Sequence, residues 1–261
     1  MRTLDLHHDP IPLGVATTGE PVAVALSGHV LVGGATGAGK SVVLHNLLAG
    51  VCCDPAAELV VADAKEELAG LLAPVAQMVA VDTDDAAAVL DHANAVMRSR
   101  RGRRGPHPPL VVLVDELAAY TALDGHTRAE RAMRERFRGL LCAVAARGRS
   151  AHVHLICATQ KPSVDVVPSG FRDNCAARIA LYCSTRDASD TILGAGSAAA
   201  GIDAARLAAD MPGSFFARGI GPRPIQGRAW HLDGYQLAGF VAHGAALRHR
   251  DHRLALPAAT P

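Results

Sequence analysis

The clearest chemical signal in this sequence lies at residues 34–41, which read Gly-Ala-Thr-Gly-Ala-Gly-Lys-Ser. This run fits the phosphate-binding pattern G-x-x-x-x-G-K-[ST], and it lies between an apolar strand-like segment and a helical one, as that pattern requires. Glycines let the backbone wrap closely around a triphosphate, and the helix N-terminus favours its negative charge. We therefore predict a site for ATP and Mg²⁺, in which Lys40 contacts the β- and γ-phosphates and Ser41 ligates the metal. The predicted site residues are Gly34, Ala35, Thr36, Gly37, Ala38, Gly39, Lys40 and Ser41.

Two carboxylates follow the most strand-like run of the chain, Leu-Val-Val-Leu-Val at 110–114. Asp115 and Glu116 would stand at the carboxyl end of a buried strand, which is where an open α/β sheet places ligand chemistry. Asp115 is suited to hold Mg²⁺, and Glu116 to polarise an attacking water. Alone, the pair would also serve as the acids that open a helix, but beside the phosphate loop it indicates a hydrolase.

Another polar pair, Thr159 and Gln160, follows the apolar run at 152–158. At the carboxyl end of a strand these side chains would reach the γ-phosphate and detect whether it is present. An ordinary exit from a strand into a loop explains the same residues equally well.

The elements that position these residues alternate between apolar strands and helices, which predicts an α/β fold with a mostly parallel central sheet and helices on both faces. We expect one domain over residues 28–247, preceded by an irregular lead-in with short strands at 1–27 and followed by a flexible tail at 248–261. An Ala-rich helix is predicted near 198–209, and Asp82 or Thr83 is predicted to cap a long helix.

Composition fits a soluble globular protein, with 49% hydrophobic and 20% charged residues among 261. The net charge of +1 gives no argument for a nucleic-acid partner. The six cysteines form no C-x-x-C pair and are predicted to be buried apolar side chains. Without a secretory signal or an apolar run of about 18 residues, the chain is expected to be cytoplasmic, with any membrane recruitment supplied by another protein.

Clustered arginines are the other feature that suggests a ligand. Five of them, at positions 98, 100, 101, 103 and 104, would suit DNA phosphates, although a solvated helix end is a slightly better explanation. Arg101, Arg103 and, in the loop at 162–172, Arg172 are the predicted DNA contacts. His152 and His154 share one face of a strand, but without further ligands at a useful spacing we expect no metal there.

Four blocks together resemble the FtsK/SpoIIIE motor domain over roughly residues 20–230. They read HVLVGGATGAGKS, VVLVDELA, ARGRSAHVHLICATQKPSVDV and NCAARIALYCSTRDASDTILG. The resemblance implies that residues 28–247 are a RecA-like P-loop ATPase domain, which assembles as a ring, usually a hexamer, around double-stranded DNA. It also implies that Arg149, or else Arg147, reaches the γ-phosphate of the neighbouring subunit, and that Arg178 is a second interface residue. A basic residue at a helix C-terminus is the alternative explanation for Arg149.

The leading functional hypothesis is therefore an ATP-dependent DNA translocase for conjugal transfer or chromosome segregation, with a membrane-associated protein as a further expected partner. A protein-secretion motor and a nucleotide-dependent adaptor that moves no DNA remain as alternatives. The sequence offers no counterpart of the membrane-spanning region, the additional motor subdomain or the DNA-reading winged helix of the cell-division members, which favours a compact motor.

Overall fold

The computed structural model describes residues 2–103, 105 and 107–255, and ten strands within them form a single sheet in the order β2-β1-β10-β9-β8-β3-β7-β6-β4-β5. The strands are β1 (Ile11–Ala16), β2 (Pro21–Val24), β3 (His29–Gly33), β4 (Glu58–Ala62), β5 (Ala76–Ala80), β6 (Leu110–Val114), β7 (Val153–Thr159), β8 (Cys175–Leu181), β9 (Ser214–Arg218) and β10 (Ile225–Ala229). The helices are α1 (Lys40–Cys52), α2 (Ala69–Leu72), α3 (Thr83–Arg100), α4 (Leu117–Thr121), α5 (Arg128–Arg147), α6 (Ser169–Arg172), α7 (Arg186–Leu193) and α8 (Gly234–Ala255).

The strands from β8 to β5 run parallel, and β9, β10, β1 and β2 extend the sheet in antiparallel fashion. Every residue of β3, β6 and β7 is buried, because helices cover both faces of the parallel part. Alternate residues enter two separate cores, so Val30 packs on the side of α1 and α8, whereas Leu31 packs on the side of α3 and α5. The predicted α/β fold class is confirmed.

Helix ends explain why the long helices begin where they do. The Asp82 carboxylate accepts a hydrogen bond of 2.8 Å from the N–H of Asp85, which makes Asp82 the cap of α3. Thr127 and Glu130 form a reciprocal capping box at the start of α5. These caps set the start of the two helices whose C-terminal ends carry Arg98, Arg100 and Arg147.

The lead-in predicted for residues 1–27 is more regular than the sequence indicated. Its strands β1 and β2 belong to the main sheet, where β1 pairs with β10. Ile11 and Leu13 are completely buried, and Gly14 approaches the backbone of Arg228 so closely that no side chain would fit. The prediction missed this because β1 pairs with a strand about two hundred residues away along the chain, a partner that local sequence does not reveal.

One prediction for the C-terminal third is wrong. The Ala-rich run at 198–209 forms turns and a short 3₁₀ helix at Ala204–Arg206, and Gly201 within it takes a positive φ of 88° that a helix cannot accommodate. Helix α8 continues to Ala255, so the first part of the predicted tail is helical. The flexibility of the tail stays a prediction, and residues 256–261 lie outside the described residues.

The reason for the longer helix is Arg248, whose guanidinium reaches the end of α1. It donates to the carbonyl oxygens of Ala57 at 2.9 Å, Val51 at 3.4 Å and Cys52 at 3.5 Å. Burial lowers the pKa of this arginine, and the hydrogen bonds to carbonyls replace the water it has lost. Arg248 therefore links the last described helix to the core.

Replacing Arg248 with alanine should lower the free energy of unfolding by about 1–3 kcal/mol, because a charged donor to several carbonyls is removed. Denaturant unfolding followed by circular dichroism measures this. The matched control is His249→Ala on the exposed side of the same turn, which should change the free energy by less than about 0.5 kcal/mol. Equal effects of the two substitutions would contradict this role for Arg248.

Candidate nucleotide site

The phosphate loop connects β3 to α1 and is held by the strands on either side of β3. The N–H of Gly34 donates to the carbonyl of Thr159 at the end of β7, at 3.2 Å. The N–H of Ala35 donates to the carbonyl of Tyr182 just beyond β8, at 2.7 Å. The loop therefore has a fixed position at the carboxyl edge of the parallel sheet, where the first turn of α1 presents its free N–H groups.

Two glycines give the loop its shape. Gly37 has φ 80° and Gly39 has φ 95°, values in the left-handed region where other residues are strained. A side chain on Gly39 would also collide with the backbone of Gly213, whose N–H donates to the carbonyl of Ala38 at 2.9 Å. The segment before β9 therefore braces the loop from outside, and the glycines are required at these positions.

Lys40 lies against the two carboxylates that follow β6. Its ammonium donates to the backbone carbonyl of Asp115 at 2.7 Å and to Oδ1 of the same residue at 3.2 Å, and it lies 3.8 Å from Oε2 of Glu116. The three side chains are only 5%, 5% and 10% exposed. The attraction between these charges offsets part of the cost of burying them.

The Asp115 carboxyl keeps one oxygen uncommitted. Burial raises the pKa of Asp115 above its ordinary value, and the neighbouring Lys40 ammonium only partly opposes this effect. Its Oδ2 is buried and has no hydrogen-bond partner within the described part of the chain. A buried oxygen acceptor without a donor is an unusual arrangement, and it is one that a hard cation such as Mg²⁺ would satisfy.

Glu116 is held by the residues that end β7. The Thr159 hydroxyl donates to Oε1 at 2.9 Å, and the N–H of Gln160 donates to the same oxygen at 3.0 Å. The Thr36 hydroxyl in turn donates to Oε1 of Gln160 at 3.0 Å. The structure thus brings the phosphate loop, Glu116, Thr159 and Gln160 into one continuous hydrogen-bonded group at the edge of the sheet.

Sequence reasoning missed Lys65, which lies in the turn after β4. Its ammonium is 3.6 Å from Oε2 of Glu116. One signal was available, because the chain contains only three lysines and this one comes two residues after Asp63, which follows the buried strand Leu-Val-Val-Ala. The strand order was the missing information: β4 lies directly beside β6, so their carboxyl ends share one site.

Arg149 is not brought to this site. It lies in the short turn before β7, whereas Thr159 ends that strand, so the two are about 20 Å apart along the sheet. Its side chain is exposed, and none of the described carboxylates lies within 4 Å of it. Arg147 is also exposed at the end of α5 and donates to the carbonyl of Ala143 at 3.3 Å.

The predicted DNA contacts lie on two separate surfaces. Arg101 and Arg103 line a cavity of about 540 Å³ at the amino edge of the strands, together with Arg98, Arg147 and His152. Arg104 lies outside the described residues. Arg172 is in α6, lines a different cavity together with Gln160 and Lys161, and forms an ion pair of 3.2 Å with Asp173.

Of the two histidines predicted to share one face of a strand, only His154 lies in β7, because His152 precedes the strand with φ 52°. Burial lowers the pKa of His154 to about 4, and its Nδ1 lies 3.2 Å from the carbonyl of Gly28. The described residues contain no group of three or more His, Cys, Asp or Glu side chains placed to hold a metal. Arg178 is partly buried in β8, and its Nε donates to the carbonyl of Cys175 at 3.5 Å. None of the helices in the described ranges is long and apolar enough to cross a membrane.

The fold and the phosphate loop place this chain among the P-loop ATPase folds, and solved structures agree. The pCW3 conjugation coupling protein TcpA, in monomer form with ATPγS, has a TM-score of 0.69 at 20% identity, covering 92% of this chain and 73% of that one. The cytoplasmic domain of the type VII secretion ATPase EccC from Thermomonospora curvata has a TM-score of 0.65 at 18% identity. The match covers 92% of this chain and 32% of that one. At these identities the likeness establishes the fold.

Sequence comparison finds the same resemblance that the sequence motifs suggested. The profile of the FtsK/SpoIIIE family matches residues 56–164. DNA translocase FtsK of Treponema pallidum is 28% identical over 214 residues, which are 70% of this chain and 26% of the relative. DNA translocase FtsK of Bacillus anthracis is 30% identical over 222 residues, 72% of this chain and 27% of the relative. The resemblance to FtsK/SpoIIIE proteins is confirmed, and the chain spans about a quarter of the length of these relatives.

The charge balance at Asp115 can be tested without nucleotide or metal. The folded state holds the proton of this carboxyl more tightly than the unfolded chain does, because burial raises its pKa. Its ionisation therefore costs stability as the pH rises through the two pKa values. We expect Asp115→Asn to raise the melting temperature at pH 7, and the gain to shrink towards pH 4.

Thermal unfolding of both proteins between pH 4 and pH 8 measures this difference. A lower melting temperature for Asp115→Asn at pH 7 would mean that the pairing with Lys40 outweighs the burial of Asp115, and would contradict the raised pKa.

Proposed function

We propose that this chain is the motor part of an ATP-dependent double-stranded DNA translocase. The single observation that carries the proposal is Glu116, a carboxylate fixed by Thr159 and Gln160 beside a complete phosphate loop. A protein that only binds nucleotide has no need of a positioned base at this place. The similarity to DNA translocases over 70% of the chain supports DNA as the substrate.

The residues divide the chemistry among themselves. Lys40 exchanges its present carboxylate partners for the β- and γ-phosphates of ATP, and the loop from Gly34 to Gly39 supplies backbone N–H groups. Ser41 and Asp115 would hold Mg²⁺, a fit supported by hard oxygen donors and by the uncommitted Oδ2 of Asp115. The ion, when bound, neutralises charge on the phosphate oxygens.

Glu116 then takes the role of general base. Its carboxylate polarises the water that attacks the γ-phosphate, while Thr159 and Gln160 keep it oriented. Because Gln160 also accepts from Thr36 of the loop, a change in the loop on hydrolysis is transmitted to the segment after β7. That segment, residues 160–172, is the route by which hydrolysis would move a DNA contact such as Arg172.

The proposed mechanism uses an arginine that one copy of the chain does not bring to the site. No described arginine side chain reaches Lys40, Asp115 or Glu116, and the exposed Arg149 is about 20 Å away. A ring, with six copies as the resemblance implies, would bring Arg149 of one subunit to the γ-phosphate bound by the next. Phosphoryl-transfer enzymes use an arginine in this way to stabilise transition-state charge.

The cellular process that this motor serves is proposed from the proteins that it resembles. Likeness to a conjugation coupling protein favours transfer of duplex DNA between cells, with a membrane-associated partner at the channel. The similarity to the DNA translocases keeps chromosome segregation as the alternative setting. The secretion ATPase EccC has the same fold, which keeps a protein-secretion motor as the second candidate function.

Linear duplex DNA should stimulate ATP hydrolysis severalfold, and the stimulation should fall steeply as salt increases from about 50 to 200 mM, because phosphate contacts release counterions. A steady-state ATPase assay with increasing DNA measures both effects. If hydrolysis is unchanged at saturating DNA, the translocase proposal is wrong and the secretion candidate takes its place.

The same assay tests the arginine cavity. The double substitution Arg101→Gln with Arg103→Gln should raise the DNA concentration for half-maximal stimulation and reduce the salt slope by about 2. Arg131→Gln is the matched control, because Arg131 is also exposed but lies near the opposite end of α5, about 24 Å from Arg147. Equal effects of the control would remove the cavity from the DNA path.

Arg149→Ala should retain nucleotide binding and lose turnover by about 10³-fold or more. Mixing it with Glu116→Gln subunits should recover part of the activity, because some interfaces then combine an intact Arg149 with an intact Glu116. No recovery would mean that Arg149 does not act on a neighbour. The same pattern for Arg147→Ala in place of Arg149→Ala would assign the role to Arg147.

A further inference from the structure

The turn after β4 is built around a buried carboxylate. Ala62 pairs with Val114, so Asp63 and Asp115 leave neighbouring strands side by side. Asp63 is completely buried, and its carboxylate accepts from the N–H groups of Leu68 at 2.7 Å, Ala69 at 2.8 Å and Lys65 at 3.3 Å. These hydrogen bonds fix the backbone of residues 64–69 against the sheet edge that carries the nucleotide site.

This turn also contains backbone strain. Glu66 has φ 58°, a left-handed conformation that is costly for a residue with a side chain. Strain of this kind persists where the surroundings impose it, and it occurs often at functional sites. Here it lies next to Lys65 and follows from the tight turn that Asp63 organises.

The turn after β4 places the Lys65 ammonium beside the Glu116 carboxylate. The Lys65 ammonium lies 3.6 Å from Oε2 of Glu116, and its side chain is 29% exposed, so it reaches the site from the solvent side. Within the described residues, Lys40 is the other cation near this carboxylate, at 3.8 Å. Lys40 opens α1, whereas Lys65 lies in the turn after β4, so the two cations approach Glu116 from different elements.

We propose that Lys65 is a positioning residue for Glu116, and this proposal rests on the function proposed above. Thr159 and Gln160 donate to Oε1, and the N–H of Gln160 also donates to Oε2 at 3.2 Å. The Lys65 ammonium adds an electrostatic attraction on Oε2, so the carboxylate keeps one orientation towards the attacking water. The contact is an ion pair and no hydrogen bond, which makes the positive charge its essential property. In this role Lys65 acts through Glu116 and not on ATP directly.

Basal ATP hydrolysis, measured without DNA, tests this role. Lys65→Met should lower kcat about 10-fold or more and change KM for ATP by less than about 2-fold, as expected when an orienting partner of a reactive group is lost. Lys65→Arg keeps the charge and should recover most of kcat. Glu67→Gln, at an exposed position in the same turn, is the control and should equal the unsubstituted protein.

A double substitution separates positioning from a general structural effect. In a Glu116→Gln background the carboxylate that Lys65 attracts is gone, so adding Lys65→Met should change the residual turnover by less than about 2-fold. A full further 10-fold loss there would overturn the proposal. So would a raised KM with unchanged kcat, which would instead make Lys65 a phosphate ligand.

The outcomes also distinguish this proposal from the proposed function. A protein that hydrolyses ATP normally with Lys65→Met contradicts only the role of Lys65. A protein whose basal hydrolysis is unaffected by Glu116→Gln contradicts the assignment of the base itself, and with it both proposals. Melting temperatures of all variants within about 2 °C of the parent establish that the kinetic changes do not come from unfolding.

Discussion

Everything at the nucleotide site depends on the burial of one ammonium beside two carboxylates. Lys40, Asp115 and Glu116 are all at most 10% exposed, and charges so poorly solvated must remain in contact with partners of opposite sign. In this structure the partners are one another. A triphosphate and a divalent cation would supply replacement partners of the correct signs, which is why such a cluster is suited to exchanging its contacts on nucleotide binding.

The parallel sheet makes this cluster possible. Strands β3, β7, β6 and β4 lie next to one another, so the phosphate loop, Thr159, Glu116 and Asp63 all emerge at a single edge. The buried interiors of these strands hold their ends in register, and hydrogen bonds across the edge connect Thr36 to Gln160 and Gln160 to Glu116. The segment before the antiparallel strand β9 also supports the phosphate loop, because the N–H of Gly213 donates to the carbonyl of Ala38.

Local sequence predicted the parts of this arrangement that have a local cause. The phosphate loop, the strand before Asp115 and the cap at Asp82 each follow from neighbouring residues, and the structure has these elements where they were expected. The assigned roles of Lys40, Asp115, Glu116 and Gln160 stay predictions, although the geometry brings these side chains together.

The features that the sequence did not predict all depend on contacts between residues that are distant along the chain. Lys65 joins the site because β4 lies beside β6, β1 is ordered because it pairs with β10, and α8 is extended because Arg248 reaches the end of α1. Each depends on a strand order or a packing partner that neighbouring residues do not encode.

The most direct test of the account is a paired measurement of ATP binding and ATP turnover for Glu116→Gln. Glutamine keeps the shape and the hydrogen bonds from Thr159 and Gln160 but cannot accept a proton from water. The account predicts that the variant binds ATP with an affinity within about 10-fold of the parent and loses turnover by about 10²-fold or more. Turnover at the rate of the parent protein would contradict the assignment of Glu116 as the base, and with it the proposed mechanism.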